Sequence, residues 1–556
     1  MRKSVLFLIV SAFLSLLITN NIHANVYASQ LKISNPDSSS FDGSFTDGSG
    51  IQFSFFLNDS ASSLILSIKD ASDNSTLTEL NVGALARGSH SVMWDGSGTS
   101  AGKIYIYEVS ATQNNYSSTE WTMFYDSGPA AIFSRGLDVV TDMSSPLFGL
   151  MYAPNKGGAL GTGITIYNPD GSKHDPFLVA PDVTSGGTIN WGLGSDAIVS
   201  GVFDDLGRFY VSCVQLNEIR RLNLDYTVTT IIDSVKNPLG LFIDGVGDDR
   251  TLYYCTDNKV LRAKISDTDS LAGSPEEIGV FDNNIPRCVA LDDEGNLYVS
   301  FRTVAIDLNS LEAGLFKFSI SGSLPVNNVN AAWGIDAVTS HKISNLRFDY
   351  GQDRNSNADD ILYYATRADG GNNDDGIWRV DDINGSFVAP VKIITELELY
   401  GADDNINARS GLALDAAGNL ILFENSNEHI FFITPPGQGS ENNFTTVCPD
   451  SIKTSGATSV DGEINGSLHS FKLNQNYPNP FNPSTTISFQ LAEASVVSLS
   501  VFNLLGEEVS VLLNNEFHSA GYHSLVFHGD QLSSGVYIYT LKVGNSIYMN
   551  KMSLLK

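Results

Sequence analysis

Over long stretches of this chain apolar and polar residues alternate with a period of two, interrupted by clusters of Gly, Asp, Asn and Ser. That is the pattern of strands with one buried and one wetted face. Near the C-terminus Ile487, Phe489 and Leu491 alternate in this way, then Val497, Leu499 and Val501, and a Ser534-Gly535 turn leads into Val536-Tyr537-Ile538-Tyr539. Residues 29–125 repeat the arrangement. Ile51-Gln52-Phe53-Ser54-Phe55 answers Ile487-Ser488-Phe489-Gln490-Leu491, and Leu64-Ile65-Leu66-Ser67-Ile68 answers Val497-Ser498-Leu499-Ser500-Val501. Gly88-Ser89-His90-Ser91-Val92 answers Gly521-Tyr522-His523-Ser524-Leu525, and the Gly102 turn into Tyr105-Ile106-Tyr107 answers the Gly535 turn. Each end is therefore expected to be a small two-sheet sandwich.

Residues 130–436 carry a different repeat: a short apolar strand, an acidic turn with Gly, and an aromatic strand. Its clearest copies are SGVFDDLGRFYV from Ser200, CVALDDEGNLYV from Cys288 and GLALDAAGNLIL from Gly411. Looser copies start at Gly240 and Asn345, and a degenerate first copy at Arg135. Most copies end in a third strand such as Ile219-Arg220-Arg221-Leu222 or Ile377-Trp378-Arg379-Val380. A small antiparallel sheet cannot bury both faces alone, so six such units imply a ring of blades. The expected fold is all-β, a six-bladed β-propeller flanked by two small immunoglobulin-like β-sandwiches. A seventh blade is the alternative if residues 331–338 are a worn copy.

The motif NYPNPFNPSTTISF, followed by VFNLLGEEV, SAGYHSLVF, SSGVYIYTL and the terminal KMSLLK, resembles the C-terminal sorting domain of substrates of the type IX (Por) secretion system of Bacteroidota type. The resemblance covers residues 473–556. It implies recognition by that machinery, passage through the periplasm, a final place on the outer-membrane surface or in the medium, and removal of the tail after translocation. Residues 1–28 fit a secretory signal peptide: Arg2 and Lys3 precede the apolar run 5–18, and small residues at Ala24 and Ala28 offer cleavage sites. The run is shorter than the roughly 20 residues a membrane-spanning helix needs. Residues 437–472 read as a flexible connector.

The 556 residues carry a formal charge of −30. Such a surface repels phosphate backbones, so nucleic acid is excluded as a partner. Cys213, Cys255, Cys288 and Cys448 are far apart in sequence and lack CxxC spacing; they define no zinc site, export allows a disulfide for which the sequence names no pair, and they read as small buried hydrophobes.

Trp94-Asp95-Gly96 with the Gly102 turn resembles the immunoglobulin-like domain of flagellar-hook capping proteins. Trp94 reads as core, and His90 and His523 as strand-face residues. The middle resembles NHL-repeat and gluconolactonase/SMP-30-like propellers, whose metal-dependent lactonases hold an ion at the channel mouth through Glu, Asn and Asp. Here the residues before the opening position of each inner strand are Arg135, Val199, Leu239, Arg287, Ser344 and Ser410, none of them a carboxylate. Asn237 and Asn345 lie nearby, too few to hold a hard cation. Arg135 and Arg287 fall at equivalent places, with Arg409 one residue further out in a third blade. They either pair with neighbouring carboxylates or form a positive spot for an acidic glycan or small anion.

Other chemistry is sparse. Asp349, Asp353, Asp359 and Asp360 crowd one loop and raise calcium as the one cofactor weighed, against the reading that Asp and Asn bond their own backbone in tight turns. Gly98-Thr99-Ser100-Ala101-Gly102 leads into a strand, not the helix of a nucleophile elbow. His174, His341 and His429 stand alone, and Glu424 with Asn425 is a further pair that could face the channel. The first reading is an exported binding or display protein without catalysis of its own. An extracellular lactonase or hydrolase and a purely structural surface protein are the alternatives.

Overall fold

The computed structural model describes residues 26–454 and 472–554 with interruptions in loops; residues 1–25, 455–471 and 555–556 lie outside the description. The fold is all-β. Among the described residues no helix is long and apolar enough to cross a membrane.

In the first sandwich one sheet orders Ala28–Ser34, Ile51–Leu57 and Gly88–Trp94, and the facing sheet centres on Ile104–Gln113 and Ala61–Asp70 with Thr76–Leu85 outside. The period-two residues Phe53, Phe55, Leu64, Leu66 and Ile68 meet between the sheets with Trp94 and Tyr107. Trp94 lies near the Phe53 ring, centroids 6.2 Å apart, and is core. The tail has the same plan, Ser484–Leu491 beside Gly521–His528 on one sheet and Ser495–Asn503 beside Gly535–Val543 on the other. Ile68 stands opposite Tyr107 as Val501 stands opposite Tyr539. One correspondence shifts by two residues. Leu57 pairs with Gly88 and Leu491 with Gly521, so residues 53–57 answer 487–491, and His90 and His523 both sit opposite a phenylalanine.

The sequence-based connector at 437–472 does not hold for its first part. Asn442–Val447 pairs antiparallel with Ile104–Gln113, and Ile452–Thr454 pairs with the start of the same strand. In the tail the corresponding neighbour of Gly535–Val543 is simply the next strand, Ser546–Leu554. The propeller is thus inserted between Ile104–Gln113 and the two strands that complete its sheet. Its two connections run together as a ribbon: Asn442 pairs with Gln113, Gly437 with Ser118, and Thr434 with Thr122.

That ribbon leads into the ring closure. Six four-stranded sheets form the blades, and the sixth takes its outer strand, Thr122–Asp126, from before the first blade. Residues 122–125, grouped by sequence with the sandwich, therefore belong to the propeller. Trp333–Asp336 is the outer strand of the fourth blade, which removes the seventh. Each inner strand touches the next around the ring, Asp138–Val139 meeting both Gly201–Phe203 and Gly411–Leu414.

The sandwich docks on the propeller. Tyr27 is fully buried, its ring 5.3 Å from Phe148 of blade 1 and 5.6 Å from Phe444 of the returning strand. Its backbone N–H donates to Asn58 Oδ1 at 2.7 Å. Gln30 Nε2 donates to the Phe148 carbonyl at 2.7 Å, and the Arg87 guanidinium lies 3.1 Å above the Tyr125 ring. Val26, Tyr27 and Ala28 are almost wholly buried, so the sequence-based signal boundary at residue 28 falls inside this packing.

The hairpins between first and second strands differ in length. Those of blades 2, 4 and 6 span five residues each, as at Asp204 to Arg208, that of blade 3 spans six (245–250), and those of blades 1 and 5 span eleven (140–150 and 350–360). Arg250 and Asp360 reach back from the hairpins of blades 3 and 5 to the Asp turns of the preceding blades.

A chain ended after residue 436 loses the returning strand and Phe444, and its sandwich is expected to become protease-sensitive and to melt earlier than a chain ended at residue 455. Equal proteolysis and melting of the two would refute the insertion. In the longer chain Tyr27→Ala is expected to cost about 3–5 kcal/mol in denaturant unfolding, the usual loss for a buried aromatic.

Candidate functional site

The glycines that open the inner strands allow the blades to approach the axis. A Cβ on Gly240 would lie 2.4 Å from the Arg287 carbonyl oxygen, and one on Gly411 would lie 2.8 Å from the backbone of Gly136. Only glycine tolerates such contact between backbones. Among the described residues, a cavity of about 20 Å³ at the inner strands of blades 2 to 5 is lined by Ser200, Leu239, Arg287, Cys288, Asn345 and Arg347. That is little more than the ~10–15 Å³ that admits one water.

Arg347 spans this axis. It donates to Asn345 Oδ1 at 3.1 Å and to the Leu346 carbonyl at 2.9 Å, and reaches blade 1 at the Leu137 carbonyl, 2.8 Å away. Asp138 lies 3.7 Å from the same guanidinium and accepts the Phe203 N–H of blade 2 at 2.9 Å. Burial raises the Asp138 carboxyl above its ordinary range, with Arg347 and the Phe203 N–H pulling the other way. Sequence reasoning passed over this pair, although a signal existed. Arg347 and Asp138 occupy the repeat position held by Val202, Phe242, Ala290 and Ala413 in the other blades.

Of the three arginines singled out by sequence, Arg287 lines that cavity, while Arg135 and Arg409 lie outside the described residues. Glu424, Asn425, His341 and Asp353 lie outside as well. Asn237 donates to Asp257 Oδ1 at 2.9 Å, away from the cavity lining. His429 pairs with Asp126 of the closing strand at 2.7 Å, and His174 bonds Asn168 at 2.8 Å. Burial holds His174 below the usual imidazole range. Cys213, Cys255 and Cys448 are buried, Cys288 half-buried, and none of the four is in a disulfide.

The repeated turn aspartates serve their own backbone. Asp204 Oδ1 accepts the N–H groups of Leu206 and Arg208 at 3.0 and 2.9 Å, and Asp415 Oδ1 those of Ala417 and Asn419 at 2.9 and 2.8 Å. Two turns also clasp the next blade. Arg250, fully buried, binds Asp205 at 2.5 Å, with Asp204 3.8 Å away. Asp292 Oδ2 collects Tyr298 Oη at 3.0 Å, Asn357 Nδ2 at 2.8 Å and Lys317 Nζ at 3.2 Å. Asp360 accepts the Asp293 N–H at 2.9 Å. The described part of the loop weighed for calcium therefore places Asn357 and Asp360 in the seam between blades 4 and 5. Among the described residues no group of three or more His, Cys, Asp or Glu is arranged to hold a metal ion.

Burial pushes the Asp292 carboxyl up, but hydrogen bonds from Asn296 and Asn357 and the Lys317 charge outweigh it and leave its pKa lowered. A lowered folded value means stabilisation that is full above the unfolded value of about 3.9 and lost as pH falls through the folded one. Asp292→Ala leaves Lys317 buried without its carboxylate and is expected to cost about 3–5 kcal/mol at pH 7. Unfolding curves between neutral pH and pH 3 should show the gap between wild type and variant closing on the acid side. A gap independent of pH would contradict the assignment.

Comparison with known proteins agrees with these domains. Residues 475–554 match the family model of the secretion system C-terminal sorting domain, and residues 38–115 match that of the FlgD Ig-like domain. The second match ends just after the strand at which the propeller enters. No curated protein matches the chain. Similar solved structures include virginiamycin B lyase from Staphylococcus aureus, at 13% identity and TM-score 0.34 over 57% of this chain and 99% of that one. A gluconolactonase from Xanthomonas campestris gives 11% identity and TM-score 0.33, covering 59% of this chain and 90% of that one. A protein of unknown function from Bacteroides caccae gives 9% and 0.29, covering 61% and 96%. At these values the likeness carries no inference about activity. The sorting domain, in contrast, marks the chain for export by the type IX system, through the periplasm to the cell surface or extracellular space.

Proposed function

We propose that the chain is an exported binding or display protein whose propeller has no catalysis of its own. The observation that carries this reading is the axis, where Arg347 and Asp138 tie blades 5, 1 and 2 together and the cavity has room for about one water. Its described lining offers the oxygens of Ser344 and Asn345 beside two arginines, Arg287 and Arg347, and no carboxylate that would offset their charge for a divalent cation or act as general base in a substrate-sized space. The purified mature chain, given a panel of lactones and esters with and without calcium or zinc, is expected to show no turnover above buffer. Metal-dependent turnover abolished by Asn345→Ala would return the site to the enzyme reading.

The signal peptide is proposed to end at Ala24, because cleavage after Ala28 would strip Tyr27 from its buried place against Phe148 and Phe444. Tail removal is proposed to fall after Thr454, since an earlier cut would take the strands that complete the first sandwich. Mass spectrometry of the exported protein should therefore find Asn25 at its N-terminus and a C-terminus within residues 455–472. A mature start at Ser29, or an end before Thr454, would overturn these positions. Deleting residues 473–556 is expected to hold the protein in the periplasm of a type IX host, and normal appearance outside the cell would count against the sorting role.

A further inference from the structure

The hairpin of blade 3, residues 245–250, reaches back to Asp205 of blade 2, and that of blade 5 reaches back to blade 4. Beside the blade 3 hairpin, Asp244, Gly245 and Asp249 border an opening on that blade. A groove of about 590 Å³ lies there, within the roughly 300–1,000 Å³ of small-molecule sites.

Its walls come from four strands in register. Tyr253 stands opposite Arg262, and Arg262 opposite Glu276; Asp244 stands opposite Thr251, and Thr251 opposite Lys264. Arg262 Nε binds Glu276 at 2.8 Å, and Lys264 Nζ binds the Asp249 carbonyl at 2.6 Å and its carboxylate at 3.5 Å. Tyr253, largely buried, contributes to the lining beside Phe242, its ring 6.2 Å away. Donors and acceptors, paired at the surface, thus alternate along the cleft with an aromatic residue among its walls.

We propose that this groove binds a neutral oligosaccharide, an inference that rests on the reading of the chain as a binding protein. A sugar hydroxyl both donates and accepts, so it can bridge a paired carboxylate and cation without breaking the pair. An anionic glycan meets Asp244, Asp249 and Glu276 in a chain of formal charge −30 and is disfavoured. A simple cation would compete with Arg262 and Lys264 for carboxylates they already hold.

The test is calorimetry on the full mature chain with hexasaccharides of glucose, xylose and mannose, beside oligogalacturonate as the acidic probe. At least one neutral hexasaccharide is expected to bind, and oligogalacturonate is not. Ser274 is exposed at the groove, so Ser274→Trp fills it without touching the core, and Arg262→Ala with Glu276→Gln removes one donor and acceptor pair. Each variant is expected to weaken binding by about tenfold or more with melting unchanged. Arg287→Ala is expected to leave it as it was. Binding insensitive to both groove variants but lost in Arg287→Ala would overturn the groove and keep the binding reading. Binding of oligogalacturonate alone would overturn the proposed ligand class. Absence of binding together with lactone turnover would overturn both readings.

Discussion

A ring of blades holds only if its last sheet is fastened to its first, and here the fastening is the pairing of Thr122–Asp126 with Ile430–Thr434. Six sheets that each bury their faces on neighbours gain nothing from that burial at a free edge, so the ladder of backbone hydrogen bonds at this junction sets the ring as one unit. The same two chain segments continue outward through Gly437 with Ser118 and Asn442 with Gln113. Ring closure and completion of the first sandwich are therefore one continuous antiparallel ribbon, and loosening either end loosens the other.

Polar groups inside the propeller follow a different logic from its apolar seams. A buried ion pair recovers little net stability once its desolvation is counted, yet leaving one partner alone is costly. Arg250 with Asp204 and Asp205, Lys317 with Asp292, and Arg347 with Asp138 each join elements distant in sequence. Their effect is to fix which blade meets which and how closely. The axis shows the functional side of this choice: a position that in a wider ring could admit a ligand is occupied by a guanidinium bonded to two blades.

Among the described residues the axis is crossed by Arg347, and the seams between blades 2 and 3 and between blades 4 and 5 are clasped by buried polar groups. The returning strand sets the sandwich against blades 1 and 6 through Tyr27, Phe148 and Phe444. Such packing means that sandwich and propeller travel and act as one body, while the sorting domain is joined to them through residues outside the described structure.

Much of this was legible in the residues themselves. Period-two alternation and the repeated acidic turn encode strands and blades locally, because each side chain's face depends only on its neighbours in sequence, and the two sandwiches and six blades followed. The turn role of Asp204, Asp292 and Asp415 was legible for the same reason, since an Asp carboxylate bonds N–H groups within four residues. What the sequence did not reveal depends on chain segments hundreds of residues apart: Phe444 beside Tyr27, Ile430–Thr434 taking a strand from the other side of the ring, and Arg347 reaching Leu137. Nothing in local periodicity distinguishes a strand that returns to complete an earlier sheet from a connector with apolar residues. Nor does it show that two opposite charges in an apolar column face each other, because that pairing exists only once the ring is closed.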